Sequence, residues 1–277
     1  MPVHTWLRRR RVSLPLLISV LSLMVLAQAA EGPPKANNWL PDTPKATIRP
    51  VEGTDHCPQA GQPDPLLGAR TKQPGRWLGR QAVSPTLPIV VMAGHADSQN
   101  MPSAGTPGYA VDVQRQPPMD AAMRDELFWN IEVQDEVVRQ GKEAGLNIRG
   151  YRPPALTIRN DNDPRTNWSQ ARTLSARGEY ILEIHFDAYS PHGFGSGLIP
   201  AINRPLNRVD EALGQAFGRF PVNFRGGLGG PRRGIGILEI GMLEPPLETK
   251  LRDPATRDQT VECLAERVVN ALVKGVS

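Results

Sequence analysis

Two histidines in this 277-residue chain stand where apolar runs stop. Leu87-Pro88-Ile89-Val90-Val91-Met92-Ala93 gives way to Gly94-His95-Ala96-Asp97, and Ile181-Leu182-Glu183-Ile184 leads into His185-Phe186-Asp187. A third run, Ile235-Gly236-Ile237-Leu238-Glu239-Ile240-Gly241, carries Glu239 near its end. Residues two apart on a strand project to the same face, so the spacing predicts His185 and Asp187 on one side. Imidazoles and carboxylates gathered in this way suit acid–base work or a metal. A plain structural pair, a strand-end histidine beside a hydrogen-bonded aspartate, competes with both. Two histidines and a carboxylate with one open position are the donor set of a catalytic zinc site. His95 and His185 would supply the nitrogens, and an acid near the same edge the oxygen. Glu126 is the only glutamate between Glu52 and Glu132. Glu239 would then be free to act as general base toward an attacking water.

These residues need a scaffold that brings strand ends together. Near-continuous apolar runs predict strands buried on both faces. A helical pattern covers about 120–144, with apolar Leu127, Ile131, Val133, Val137 and Val138 and a terminating Gly145. A short extended piece follows at 146–151. Further helices are expected at 167–177, 205–217 and 256–273, with strands at 180–185 and 235–241. Alternating strands and helices predict an α/β fold, a mainly parallel twisted sheet flanked by helices on both faces. Sites in such sheets form at the carboxyl ends of the strands. Residues 98–120 read as a long Gly- and Pro-containing loop. Arg225 to Gly234 is a basic, Gly-rich loop without the Gly-Lys-Ser/Thr ending of a phosphate loop.

Residues 1–29 read as a secretory signal peptide: Arg8 to Arg11, an apolar stretch from Val12 to Leu26, then Ala27-Gln28-Ala29. Retention of the segment as an anchor is the competing reading. The chain has 32 Lys+Arg against 28 Asp+Glu. Four of the arginines lie in residues 1–29, which hold no acid, so basic and acidic residues balance beyond them. The high isoelectric point therefore gives no support for nucleic-acid binding. Residues 30–85 are a Pro/Gly-rich linker or irregular wrap, with Trp39, Leu40, Trp77 and Leu78 as packing residues. The catalytic domain is placed at 86–277. Export allows a bond between Cys57 and Cys263, and the sequence leaves paired and free states open. His56-Cys57 has no nearby Cys or His, which argues against a cysteine-based zinc site.

Five blocks in order resemble the zinc-dependent N-acetylmuramoyl-L-alanine amidases of the AmiC type, the Amidase_3 catalytic domain. They are Val90-Val91-Met92-Ala93-Gly94-His95, then Glu126-Leu127-Phe128-Trp129-Asn130, then Gly145 through Arg152. Ile184-His185-Phe186-Asp187-Ala188 and Ile237-Leu238-Glu239-Ile240-Gly241-Met242-Leu243 follow. The resemblance spans about residues 86–275. It implies Zn2+ held by His95, Glu126 and His185, with Glu239 as the catalytic glutamate and Asp187 as a further ligand or an orienting group. It implies hydrolysis of the muramoyl–L-alanine amide of peptidoglycan, with an activator protein as a partner left open; the signal segment places that work in the periplasm or outside the cell. Several positions depart from the family pattern. Ala96 replaces a second glycine, Met92 stands where aspartate is common, and Glu183 replaces a small serine. The interval from His95 to Glu126 is about double, because of the loop at 98–119. Another amide substrate on the same fold, or a non-catalytic wall-binding relative, are the competing expectations. Asp97 could orient His95 or serve as a turn residue. Arg232 and Arg233 could meet substrate carboxylates or be solvated, and His192 reads as exposed. Phe128 and Trp129 read as core.

Overall fold

Five strands form one sheet in the order β2-β1-β3-β5-β4. They are β1 (Ile89–Ala93), β2 (Ile148–Tyr151), β3 (Tyr180–Asp187), β4 (Gly197–Ile199) and β5 (Ile235–Met242). The computed structural model describes residues 47–51, 57–59, 61, 64–102 and 104–277. The signal segment 1–29, Trp39, Leu40 and His56 lie outside the described residues. β1 pairs in parallel with β2 and β3, and β3 with β5. β4 runs antiparallel to β5. The sheet is thus mixed, and parallel everywhere except at one edge. Three residues, Gly-Leu-Ile, are too few for a period to register, so β4 has no sequence signal of its own.

Strand parity sorts the core into two layers. Ile89, Val91, Tyr180, Leu182, Ile184, Leu238 and Ile240 face one cluster. The helices α2 (Asp125–Glu143), α4 (Arg208–Phe217) and α7 (Arg257–Val276) contribute to that cluster. Val90, Met92, Ile181, Ile235 and Ile237 face the other, with α3 (Asn167–Ser175), Phe220 and Phe224. Each aliphatic side chain fully buried in these layers contributes about 1.5–3 kcal/mol relative to exposure. On the second face the period of two carries Ile181 on to Glu183 and His185, and Ile237 on to Glu239. The apolar layer therefore becomes polar at the carboxyl ends of β3 and β5. A sequence meant only to be core would not change character there.

Among the described residues there are also three short α-helices, α1 (Gly108–Asp112), α5 (Gly229–Arg232) and α6 (Leu247–Arg252), and a 3-10 turn at Phe224–Gly226. α1 lies inside the segment read as a loop, and α6 follows Pro245-Pro246, a pair that masks a helix start in sequence. α2 begins at Asp125 rather than near 120. The Asp120 carboxylate accepts from the Ala122 N–H and Asp125 Oδ1 from the Met119 N–H, which holds 119–122 as a turn. Cys57 and Cys263 are joined in a disulfide across 206 residues. Of the segment 30–85, the described residues run irregularly over the domain. Arg49 N–H donates to Ala144 O, Val51 N–H to Asn270 Oδ1, and Trp77 Nε1–H to Phe220 O. Among the described residues no helix is long and apolar enough to cross a membrane.

Candidate metal centre

His95 follows β1 in a left-handed backbone conformation, φ 63°. Such a conformation is uncommon for a residue with a side chain and turns the imidazole back over the strand ends. Its carbonyl accepts from Gln99 Nε2, which pins the turn. Gly94 precedes it for a steric reason. A Cβ at that position would lie 2.3–2.6 Å from the His185 ring atoms, so only glycine leaves room for that ring. The two imidazoles meet edge to face, with centroids 4.8 Å apart.

Glu126 arrives from the first turn of α2. Asn130 and Gln134 follow at four-residue intervals on the same side of the helix. Asn130 Nδ2 donates to Gly94 O, and Gln134 Nε2 to Val91 O and Tyr151 O. These buried bonds lock the helix register against β1 and β2. Glu126 Oε1 lies 3.2 Å from His95 Nε2 and 3.1 Å from His185 Nδ1. Its other oxygen accepts from the Thr106 N–H at 2.6 Å. One donor atom from each of His95, Glu126 and His185 falls within 4.8 Å of the other two. Two imidazole nitrogens and one carboxylate oxygen that converge in this way fit zinc. Burial opposes ionisation of Glu126, but the two imidazoles outweigh it and hold the carboxyl well below the usual range. The His185 imidazole is likewise opposed by burial, yet the adjacent carboxylates of Glu126 and Glu183 raise it well above the ordinary value.

Glu239, on β5 opposite His185 of β3, is buried, and its Oε2 has no hydrogen-bond partner. Burial pushes its pKa up to about 8, against the pull of His185 and with repulsion from Asp187 and Glu126. A proton acceptor with a value near neutrality and a free oxygen is fitted to general-base chemistry.

Asp187 does not join this group. The β3–β5 register shifts between His185 and Asp187. The Asp187 side chain still meets Arg225 of the cavity wall, but it is engaged beyond the strand end. The Asp187 carboxylate accepts instead from the N–H groups of Ala188, Phe194 and Gly195, holding the turn after β3. Asp97 Oδ2 accepts from the Asn167 N–H at the start of α3 and does not bond His95. Glu183, noted in sequence only as a departure, is buried beside the centre. Its Oε1 accepts from Asn167 Nδ2 at 2.9 Å, and its Oε2 is 3.3 Å from His185 Nε2, off the line of the N–H. Its signal was parity: it lies two residues before His185 on the same strand face. Trp129 is fully buried in the core, and Arg233 stacks on Trp168 at 4.0 Å.

The centre opens into a cavity of about 560 Å³ lined by His95, His185, Glu239, Trp168 and Arg225, with Met101 of the 98–119 segment on its wall.

No protein-family model and no curated protein matches the sequence. Solved structures with a similar chain path include N-acetylmuramoyl-L-alanine amidase AmiC2 of Nostoc punctiforme, at 13% identity and TM-score 0.44, covering 69% of this chain and 98% of that one. Ami1, an N-acetylmuramyl-L-alanine amidase from Mycobacterium abscessus, has 15% identity and TM-score 0.45, covering 69% and 99%. The catalytic domain of CwlV, an N-acetylmuramoyl-L-alanine amidase from Bacillus (Paenibacillus) polymyxa, has 16% identity and TM-score 0.44, covering 67% and 96%.

Proposed function

We propose that the chain is an exported zinc-dependent amidase that hydrolyses the amide between N-acetylmuramic acid and L-alanine in peptidoglycan. The observation that carries this reading is the convergence of His95, Glu126 and His185 beside the unpartnered carboxylate of Glu239, at one end of the sheet. The order of the five sequence blocks supports the choice of bond. His95 Nε2, His185 Nδ1 and Glu126 Oε1 would hold the ion. When bound, zinc supplies a Lewis acid for the amide carbonyl and the attacking water. Glu239 takes the proton from that water and delivers it to the leaving amine nitrogen, which departs as the free amino terminus of the peptide. A cation beside Glu239 would draw its pKa down from about 8, leaving more of the base form at neutral pH. The Glu183 carboxylate, 3.3 Å from His185 Nε2, favours by its charge the tautomer with the proton on Nε2, which leaves Nδ1 free to bind. Asp187 shapes the turn that follows β3 rather than serving as a ligand.

Ser98, Met101 and Pro102 of the long insertion line the cavity, and this favours one alternative, a different amide on the same chemistry. The purified chain is incubated with peptidoglycan and the products are weighed. Glycan stripped of stem peptide is the expected result; intact muramoyl–alanine bonds with cleavage elsewhere would select the alternative. Near-stoichiometric zinc is expected in the wild type and is lost in His95→Ala and His185→Ala. Glu239→Gln keeps its zinc and loses about 10²–10⁴-fold in rate. Unchanged hydrolysis in that variant would sink the mechanism.

A further inference from the structure

We infer that Arg225 forms a carboxylate-binding subsite that orients an anionic peptide in the cavity. The inference rests on the amidase reading above and specifies the substrate side chain chemistry that the site selects.

Arg225 is the only lysine or arginine among the described residues that line the cavity. The cavity lining also carries Asp97, Asp161, Glu183 and Glu239. A substrate carboxylate is repelled along most of this surface and finds one cation besides the metal centre. The guanidinium is held in place for that task. Its carbon lies 4.7 Å from the Phe194 ring centroid and 5.1 Å from that of Phe224, a stack that restricts its motion. The backbone at Arg225 is left-handed, φ 53°, so the turn at 224–226 aims the side chain in a direction an ordinary turn would not.

The guanidinium is underused. Besides the two rings, it makes one long hydrogen bond, from an Nη to Asp187 Oδ1 at 3.4 Å. Asp187 already accepts three backbone N–H bonds, so its charge is largely committed elsewhere. A planar donor fork with one long bond has a free edge suited to bidentate capture of a carboxylate. A peptide bound with its carboxylate here and its amide at His185 and Glu239 lies along the cavity in one direction only.

The test compares two soluble substrates, N-acetylmuramoyl-L-alanyl-D-glutamate and the same compound with both carboxylates converted to carboxamides. The wild type should favour the acid by about tenfold in kcat/KM, chiefly through KM, given a charge-assisted bond partly screened by solvent. Arg225→Met should collapse that ratio toward one, and Arg225→Lys should retain part of it. Because Arg225 also lies near Glu239, its loss shifts the proton-transfer step, but it does so for both substrates and cancels in the ratio. A preference that survives in Arg225→Met, or wild-type enzyme that hydrolyses both compounds equally, overturns the inference while leaving the amidase reading intact. Wild-type enzyme that hydrolyses neither compound and leaves peptidoglycan uncut removes the amidase reading and this inference with it. Thermal unfolding of both variants checks that the turn at 224–226 still folds.

Discussion

Both ring nitrogens of His185 face a carboxylate, Nδ1 toward Glu126 and Nε2 toward Glu183. The first contact gathers the candidate ligands; in the second, the charge of Glu183 favours a proton on Nε2 and so leaves Nδ1 available. Glu183→Gln should therefore weaken zinc binding about ten- to hundredfold, read by competition with a chromophoric chelator on the purified chain. Equal affinity in wild type and variant would remove Glu183 from the site. His95, His185 and Glu239 were legible because strand ends announce themselves by the change from apolar to polar. Glu126 was legible through scarcity and through its block. Glu183 was not, because an acid in a buried strand carries no partner in the sequence: its neighbours Asn167 and His185 meet it only after folding. The Asp187 carboxylate accepts from three backbone N–H groups of the turn after β3, bonds that nothing local in Phe186-Asp187-Ala188 foretells.

At the scale of elements, β1, β3, β5, α2, α3, α4 and α7 were legible from periodicity and terminal glycines. β4, α1 and α6 were not, being too short to show a period and held by tertiary bonds instead. α1 is such a case. Its Ala110 N–H donates to Glu248 Oε2 of α6, and the other Glu248 oxygen has no partner. Burial raises the Glu248 pKa to about 7. The fold thus favours the protonated acid over the ion, relative to the unfolded chain. Its contribution to stability is fully present below about pH 4.5 and is lost as pH rises through about 7. Glu248→Gln, neutral throughout, should flatten the fall in stability over that interval, measured by denaturant midpoints at several pH values. A variant whose stability falls as steeply as the wild type's would show that the carboxyl is not held neutral.

Across the whole molecule, the described N-terminal residues are tied to the last helix by the Cys57–Cys263 bond, which closes a loop of 206 residues. Sequence offered two cysteines and a plausible compartment but no distance, since Cys57 sits in irregular chain. Cross-linking residues so far apart restricts the unfolded ensemble, and loss of the bond should cost about 2–5 kcal/mol. Cys57→Ser with Cys263→Ser, compared with wild type in urea, should show that drop; equal midpoints would mean that the covering segment adds no stability through its link. The 98–119 insertion is bound in a different way. Its Thr106 N–H holds the second oxygen of Glu126, its Gly105 leaves room for that carboxylate, and its Gln116 and Pro117 accept from Arg252. Residues 98–119 are consequently no detachable lid. Shortening them, or grafting them onto another scaffold, would strip a donor from the glutamate at the centre, so this segment and the candidate ligands can change only together.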